Sequence, residues 1–220
     1  MTGRCIAVAA ALAMLGLGSS AVSAAEPEAP SAAELTQALR EFLSQRGDIC
    51  LSKYDWPIEV SARDVATGTR NAVQLPVMER QGLVESENGF VVFKDGDKEE
   101  KVPARRYRLT DLGKRSYKAR ETRSRARDGG EVTHHGDLCA GRIVLSEWVW
   151  IRVPAVPGGG RDTAIASYRY RYQPEPWVDN EAIRRVFPMI DQVIKGQGSL
   201  EMMQRFHFDG VNWVADAVIE

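Results

Sequence analysis

The chain has 220 residues and a formal net charge of −1, with 29 basic residues against 30 acidic ones. This length is enough for one large domain or two small ones with a buried core. The charge balance excludes a general polyanion binder and an acidic tail protein.

The N-terminus, residues 1–25, has the pattern of a secretory signal peptide. Arg4 supplies a positive charge, and the apolar run Cys5–Gly18 is followed by small residues. This run is shorter than the roughly 20 residues that cross a bilayer, and it lacks the polar face of a buried helix. We therefore expect cleavage after Ala24 or Ala25 and a periplasmic or secreted mature chain without a transmembrane segment. Residues 26–30 would form a flexible leader.

Cleavage would leave two cysteines, Cys50 and Cys139. In an oxidising compartment, an isolated pair in a mature chain is most simply a disulfide. Closing a loop of about 90 residues could stabilise the fold by up to roughly 4.6 kcal/mol in the chain-entropy model. Two free thiols, one of them catalytic, are the alternative and would need a reducing environment or a partner histidine.

Residues 31–127 predict helices followed by a β-hairpin. Ser31 and Glu34 form a capping box, and Gly82 fits a helix C-terminal cap. Asp95-Gly96 opens the hairpin turn, and Thr110 can cap the helix that follows it. The predicted elements are helices ending at Gly47, within 61–66 and over 71–81, then strands over 90–94 and 105–109, then a helix from about residue 111.

This order of elements, with "GLV" before the hairpin and "RYRLTDLGK" after it, resembles the winged-helix domains of MarR-like and PadR-like bacterial regulators. The resemblance implies a winged-helix-like domain over residues 31–127. DNA is not the expected partner, because Pro76 shortens the third helix and the wing sequence DGDKEEK is acidic where phosphates would lie. A DNA-binding regulator is the alternative if the N-terminus is not cleaved.

A basic run covers residues 114–127, with Glu121 as its only acid. One interpretation is a solvated helix that frays into a linker ending at Gly129-Gly130. The other is a docking stripe for anionic lipid, lipopolysaccharide or an acidic protein. The predicted partner-binding residues are Lys114, Arg115, Lys118, Arg120 and Arg123.

Residues 131–220 predict the order strand, strand, helix, strand, strand. Apolar residues occupy both faces of the first strand, with Trp148 and Trp150 on the same face, which indicates burial on both sides or an aromatic patch left for a partner. Tyrosines alternate with arginines over 163–172, and sheet packing with the arginines in solvent is favoured over nucleic-acid stacking. A helix over 180–195 kinked at Pro188 and a hairpin at Asp209-Gly210 follow. The expected class is α+β, a winged-helix-like half followed by a small antiparallel sheet packed on one helix.

The one dense cluster of potential ligands in the sequence is His134, His135, Asp137 and Cys139. Adjacent histidines on a strand point to opposite faces, and a further ligand such as His207 would have to come from far along the chain. Sequence motifs of hydrolases, metalloproteases, phosphate loops and dinucleotide sites are missing. We therefore expect no metal, no cofactor and no catalytic residue. A hydrolase or metal-binding enzyme using His134, His135 and His207 is the alternative.

The whole pattern, including "GDLCAGRIVLSEWVWI" and "YRYRYQPEPW", resembles exported proteins of Gram-negative bacteria that carry no assigned activity. The sequence thus predicts an exported binding protein that docks a protein or an anionic envelope surface.

Overall fold

The computed structural model describes residues 29–96, 98–126, 129–154 and 162–217, so the predicted signal peptide lies outside the described residues. Of the described residues 47% are in strands and 31% in helices, which makes the fold mostly β. In chain order the elements are α1 (Ala32–Arg46), β1 (Asp48–Cys50), β2 (Ile58–Ser61), α2 (Ala62–Thr67), α3 (Arg70–Arg80), β3 (Val84–Asp95), β4 (Lys98–Leu109), α4 (Asp111–Arg115), β5 (Tyr117–Arg125), β6 (Glu131–Arg152), β7 (Thr163–Pro174), a 3₁₀ turn (Pro176–Asp179), α5 (Glu181–Val186), α6 (Pro188–Gly196), β8 (Glu201–Phe208) and β9 (Trp213–Ala215).

The predicted α+β class with a winged-helix-like first half is wrong. The first half contributes β1 and β5 to a six-stranded antiparallel sheet, both of them paired with β6. The helix expected from residue 111 ends at Arg115, and most of the basic run continues as strand β5. The would-be recognition helix α3 buries Gln74, whose amide donates a 2.8 Å hydrogen bond to the Val186 carbonyl of α5. This contact packs α3 against the second half, and without a winged helix the DNA-binding alternative loses the fold on which it was based. The division of the chain near residues 127–131 stays a prediction.

The long strand β6 is the centre of the large sheet. Its first part pairs with β5, its middle with β1, and its second part with β7. The order β1-β6-β7-β8-β9 then continues to the edge. All these pairs are antiparallel, so side chains directly opposite each other share a face of the sheet.

One face of this sheet is covered by α1 and α6. The Trp148 indole donates a 2.9 Å hydrogen bond to Thr36 of α1, and the Tyr170 hydroxyl donates one of 2.9 Å to the Val193 carbonyl of α6. The three tyrosines of β7 are buried on this face, as the alternating pattern predicted. The predicted kinked helix is two helices, because the backbone leaves helical geometry at Phe187, just before Pro188.

Two irregularities in β6 separate the two tryptophans that the sequence placed on one face. The register shifts between Leu145 and Glu147 and again between Trp148 and Trp150. Trp148 therefore lies opposite Tyr168 in the core, whereas Trp150 lies opposite Ser167 on the other face. The single-face prediction for this pair is wrong.

The second sheet, in the order β2-β4-β3, is built on a hairpin longer than predicted. Local signals in this region are confirmed. The Ser31–Glu34 capping box forms, Gly82 has a φ of 70°, and Thr110 accepts a hydrogen bond from the Gly113 backbone N–H. These features depend on only a few neighbouring residues, and so the sequence alone reveals them.

The Cys50–Cys139 disulfide is confirmed, and it joins paired residues of β1 and β6. The bond is compatible with an extracellular protein, because disulfides persist in oxidising compartments. Within the described ranges, no helix combines the length and the apolar character that crossing a membrane requires.

Candidate functional site

The face of the large sheet opposite α1 and α6 carries charged and aromatic side chains. Three cross-strand rows define it. Glu147, Arg169 and Glu201 form the first row, Trp150, Ser167 and Met203 the second, and Arg152, Ile165 and Arg205 the third. Val144 lies opposite Arg171 beside the first row. We call these eleven residues the open face.

Charge on the open face is predominantly positive. Arg169 contacts Glu147 at 2.7 Å and Glu201 at 3.6 Å, so its guanidinium is engaged by both acids of the face. The other arginines of the face are Arg152, Arg171 and Arg205, and all three are exposed. Four arginines against two glutamates leave the open face cationic, although the whole chain carries a net charge of −1.

Apolar groups lie among these charges. The Arg152 guanidinium stacks over the Trp150 ring at 4.5 Å from its centroid, a cation–π contact. Met203 is 67% exposed, while Ser167 between Trp150 and Met203 is buried. Met203 and the partly exposed Trp150 can contact apolar groups while the flanking guanidinium groups bind phosphate or carboxylate.

The five predicted partner-binding residues lie away from the open face, on two elements. Lys114 and Arg115 belong to α4, and Lys118, Arg120 and Arg123 belong to β5. They do not form the single helical stripe that was predicted, because strand side chains alternate between faces. Lys114 contacts Asp111 at 2.9 Å, Arg123 contacts Glu131 at 3.8 Å, and Arg120 lies 3.5 Å from the Cys50 sulfur. A partner-binding role for these residues stays a prediction.

The three candidate histidines occupy separate places. His134 is buried and His135 is exposed, as expected for neighbours on a strand. His207 lies on β8 opposite Thr163, beyond the far end of β6 from His134. Within the described part of the chain, no three metal-ligating side chains converge.

Around His134 the structure gathers groups that sequence reasoning missed. Tyr54 stacks on the His134 ring at 4.0 Å, and the two ring nitrogens contact Asp55 and Ser124. Asp55 precedes His134 by 79 residues in the chain. A local sequence pattern cannot predict a contact between residues so far apart. The dense cluster of ligands in "HHGDLC" drew attention to His134, but nothing in the sequence pointed to Asp55.

Nearby, Asp137 fixes the loop that carries Tyr54 and Asp55. Its carboxylate accepts hydrogen bonds from the backbone N–H groups of Ser52 at 3.1 Å and Lys53 at 2.7 Å. Burial raises the pKa of Asp137 against these bonds, and burial together with Arg70 lowers the pKa of Lys53 to about 8. Lys53 and Asp137 are 1% and 4% exposed, and this burial is the main cause of both shifts.

Fold and site together define a mostly-β, disulfide-bonded protein with a cationic and partly aromatic sheet face. Comparison with protein-family models, with curated proteins and with solved structures found no match.

Proposed function

We propose that the chain is an exported binding protein whose open face docks on an anionic phospholipid surface of the cell envelope. Export rests on the signal-peptide pattern of residues 1–25, and the Cys50–Cys139 bond is compatible with it. The single observation that carries the docking proposal is the open face itself, where exposed arginines flank the row of Trp150 and Met203.

Charge and side-chain type favour a lipid surface. Basic residues near an anionic membrane contribute about 1 kcal/mol each to binding. Tryptophan is enriched at the interface between headgroups and acyl chains, and arginine can keep its charge among phosphates while its stem covers apolar surface. Trp150 with Arg152 stacked on it combines both properties at one position.

The test is co-sedimentation of the purified protein with vesicles of phosphatidylglycerol and phosphatidylethanolamine, against phosphatidylcholine vesicles. We expect binding to the anionic vesicles that weakens as salt rises, because salt screens exposed charges. The triple variant Arg152→Gln, Arg171→Gln, Arg205→Gln should bind about 100-fold more weakly, since it loses three contributions of about 1 kcal/mol.

The matched control removes three charges from the predicted stripe instead, in Arg115→Gln, Lys118→Gln, Arg123→Gln. It should bind within about threefold of the unaltered protein, because exposed charges outside the contact contribute little. Loss of binding in this variant alone would overturn the open face and assign docking to the stripe. If neither vesicle type binds while an acidic envelope protein does, the partner is a protein.

A further inference from the structure

Three side chains around His134 form one hydrogen-bonded line. Ser124 Oγ lies 2.9 Å from His134 Nε2, and His134 Nδ1 lies 2.5 Å from Asp55 Oδ2. The strand pairing places the serine there, because Thr122 is opposite His134 and Ser124 is two residues further along the same strand. This cluster lies outside the open face.

The partners fix the tautomer of His134. An ionised carboxylate only accepts hydrogen bonds, so Nδ1 must carry the proton that is donated to Asp55. In the neutral ring Nε2 then accepts the hydrogen bond from the Ser124 hydroxyl. This tautomer is the one in which a histidine can take a proton from a serine nucleophile.

The surroundings hold the line in place. Tyr54 stacks on the imidazole, and the His134 side chain is only 11% exposed. Asp55 has a φ of 42°, a left-handed conformation that costs a non-glycine residue energy and needs support from its neighbours. Asp137 supplies that support by binding the backbone of Ser52 and Lys53, just before Tyr54. Ser124 is half-buried.

From this geometry we infer that the chain carries a second function, hydrolysis of carboxylic esters, with Ser124 as nucleophile, His134 as general base and Asp55 as the residue that orients His134. Ser124 Oγ bonds to the ester carbonyl carbon while its proton passes to His134 Nε2. The bond to the alcohol oxygen then breaks, and His134 gives the proton to the departing alkoxide. Water attacks the acylated serine, its proton passes to His134 and then to Ser124 Oγ, and the carboxylic acid leaves.

The substrate class follows from what surrounds Ser124. Arg123 and Arg125 precede and follow it on β5, but neighbours on a strand face opposite sides, so neither guanidinium is assigned to a developing oxyanion. A site whose chemistry rests on the nucleophile and base suits esters with good leaving groups rather than amides. The relevant probes are therefore p-nitrophenyl acetate and a fluorophosphonate, which reacts covalently with activated serines.

The experiment incubates the intact protein with the fluorophosphonate probe and locates the label by peptide mass spectrometry, alongside p-nitrophenyl acetate turnover. We expect the label on Ser124, and we expect Ser124→Ala to lose both label and turnover. Asp55→Asn should slow both reactions by at least about 100-fold, since an amide favours the wrong tautomer. Ser44→Ala is the matched control, because Ser44 is an exposed serine on α1, and it should keep both activities.

Folding is checked by the thermal midpoint of each variant, so that a loss of label in a folded Ser124→Ala protein is decisive. Labelling that is missing from the unaltered protein, or that persists unchanged in Ser124→Ala or Asp55→Asn, would overturn the inference. The line would then be a structural network that ties the Tyr54–Asp55 loop to β5 and β6.

Discussion

Two histidine–carboxylate pairs in this protein have the same contact distance but different surroundings. His134 Nδ1 lies 2.5 Å from Asp55, and His207 Nδ1 lies 2.5 Å from Asp216. The His134 side chain is 11% exposed and the His207 side chain is 48% exposed. His134 also contacts Ser124 through its second nitrogen and Tyr54 through its ring face.

The two histidines are therefore held differently, although each lies beside a carboxylate. At the half-exposed His207 water can replace the carboxylate as a partner, so the pair contributes little to the free energy of unfolding. The His134 ring is shielded from water although the Asp55 carboxylate is 61% exposed, and the contacts on Nδ1, Nε2 and the ring face set its tautomer and orientation. The loop that carries Tyr54 and Asp55, anchored by Asp137, therefore holds the His134 ring in place.

Removing the disulfide next to the His134 site should cause the largest change in the free energy of unfolding. Cys50→Ser with Cys139→Ser opens a link between residues 89 positions apart, just before the loop that carries Tyr54 and Asp55. We expect the free energy of unfolding to fall by up to about 4.6 kcal/mol in the chain-entropy model. Urea denaturation of the variant and of the unaltered protein measures this fall, and the unaltered protein with its disulfide reduced is the control. A loss below about 1 kcal/mol would mean that the loop is held without the bond.

The next effect concerns the buried charge beneath the loop. The Lys53 side chain is 1% exposed; burial is the main cause that lowers its pKa to about 8, Arg70 adds to the shift, and Asp137 opposes it. Because the pKa of Lys53 is 10.5 when unshifted, the unfolded chain binds more protons between these values. The contribution of Lys53 to the free energy of unfolding should therefore rise by about 3 kcal/mol as the pH increases from below 8 to above 10.5.

Lys53→Met is the test of that pH dependence. The variant keeps a long apolar side chain and removes the charge, so it should be more stable than the unaltered protein at pH 7, and this advantage should shrink as pH rises. Urea denaturation of both proteins across this pH range gives the difference, in which the tyrosines and other titrating groups cancel. A difference that does not change with pH would show that Lys53 stays charged and well solvated.

How much of the molecule the sequence predicts depends on the range of the interaction. The Ser31 capping box, the Gly82 turn and the Thr110 cap were found correctly, because each involves neighbours within a few residues. The Cys50–Cys139 bond was also found, because the predicted removal of Cys5 with the signal peptide leaves two cysteines and one pairing.

The remaining features depend on pairing between strands that are distant in the chain, and the predictions made for them from the sequence were wrong or incomplete. Residues 117–125 have the charge pattern of a solvated helix, but β6 offers hydrogen bonds to a neighbouring strand, and the run pairs with it. Register shifts in β6 turned Trp148 inward and left Trp150 on the open face. The contact of Asp55 with His134 depends on the same sheet, which brings the Tyr54–Asp55 loop and β5 to opposite nitrogens of one ring.

The smallest effects should separate the two histidines directly. His134→Gln removes a buried ring with three contacts and leaves Asp55 and Ser124 without it, so we expect the free energy of unfolding to fall by about 2 kcal/mol. His207→Gln breaks a half-exposed pair and should cost less than about 0.5 kcal/mol. Denaturation of both variants under identical conditions measures the two losses. Equal losses would contradict the comparison, because they would mean that burial and the additional contacts give His134 no energetic advantage over a surface pair.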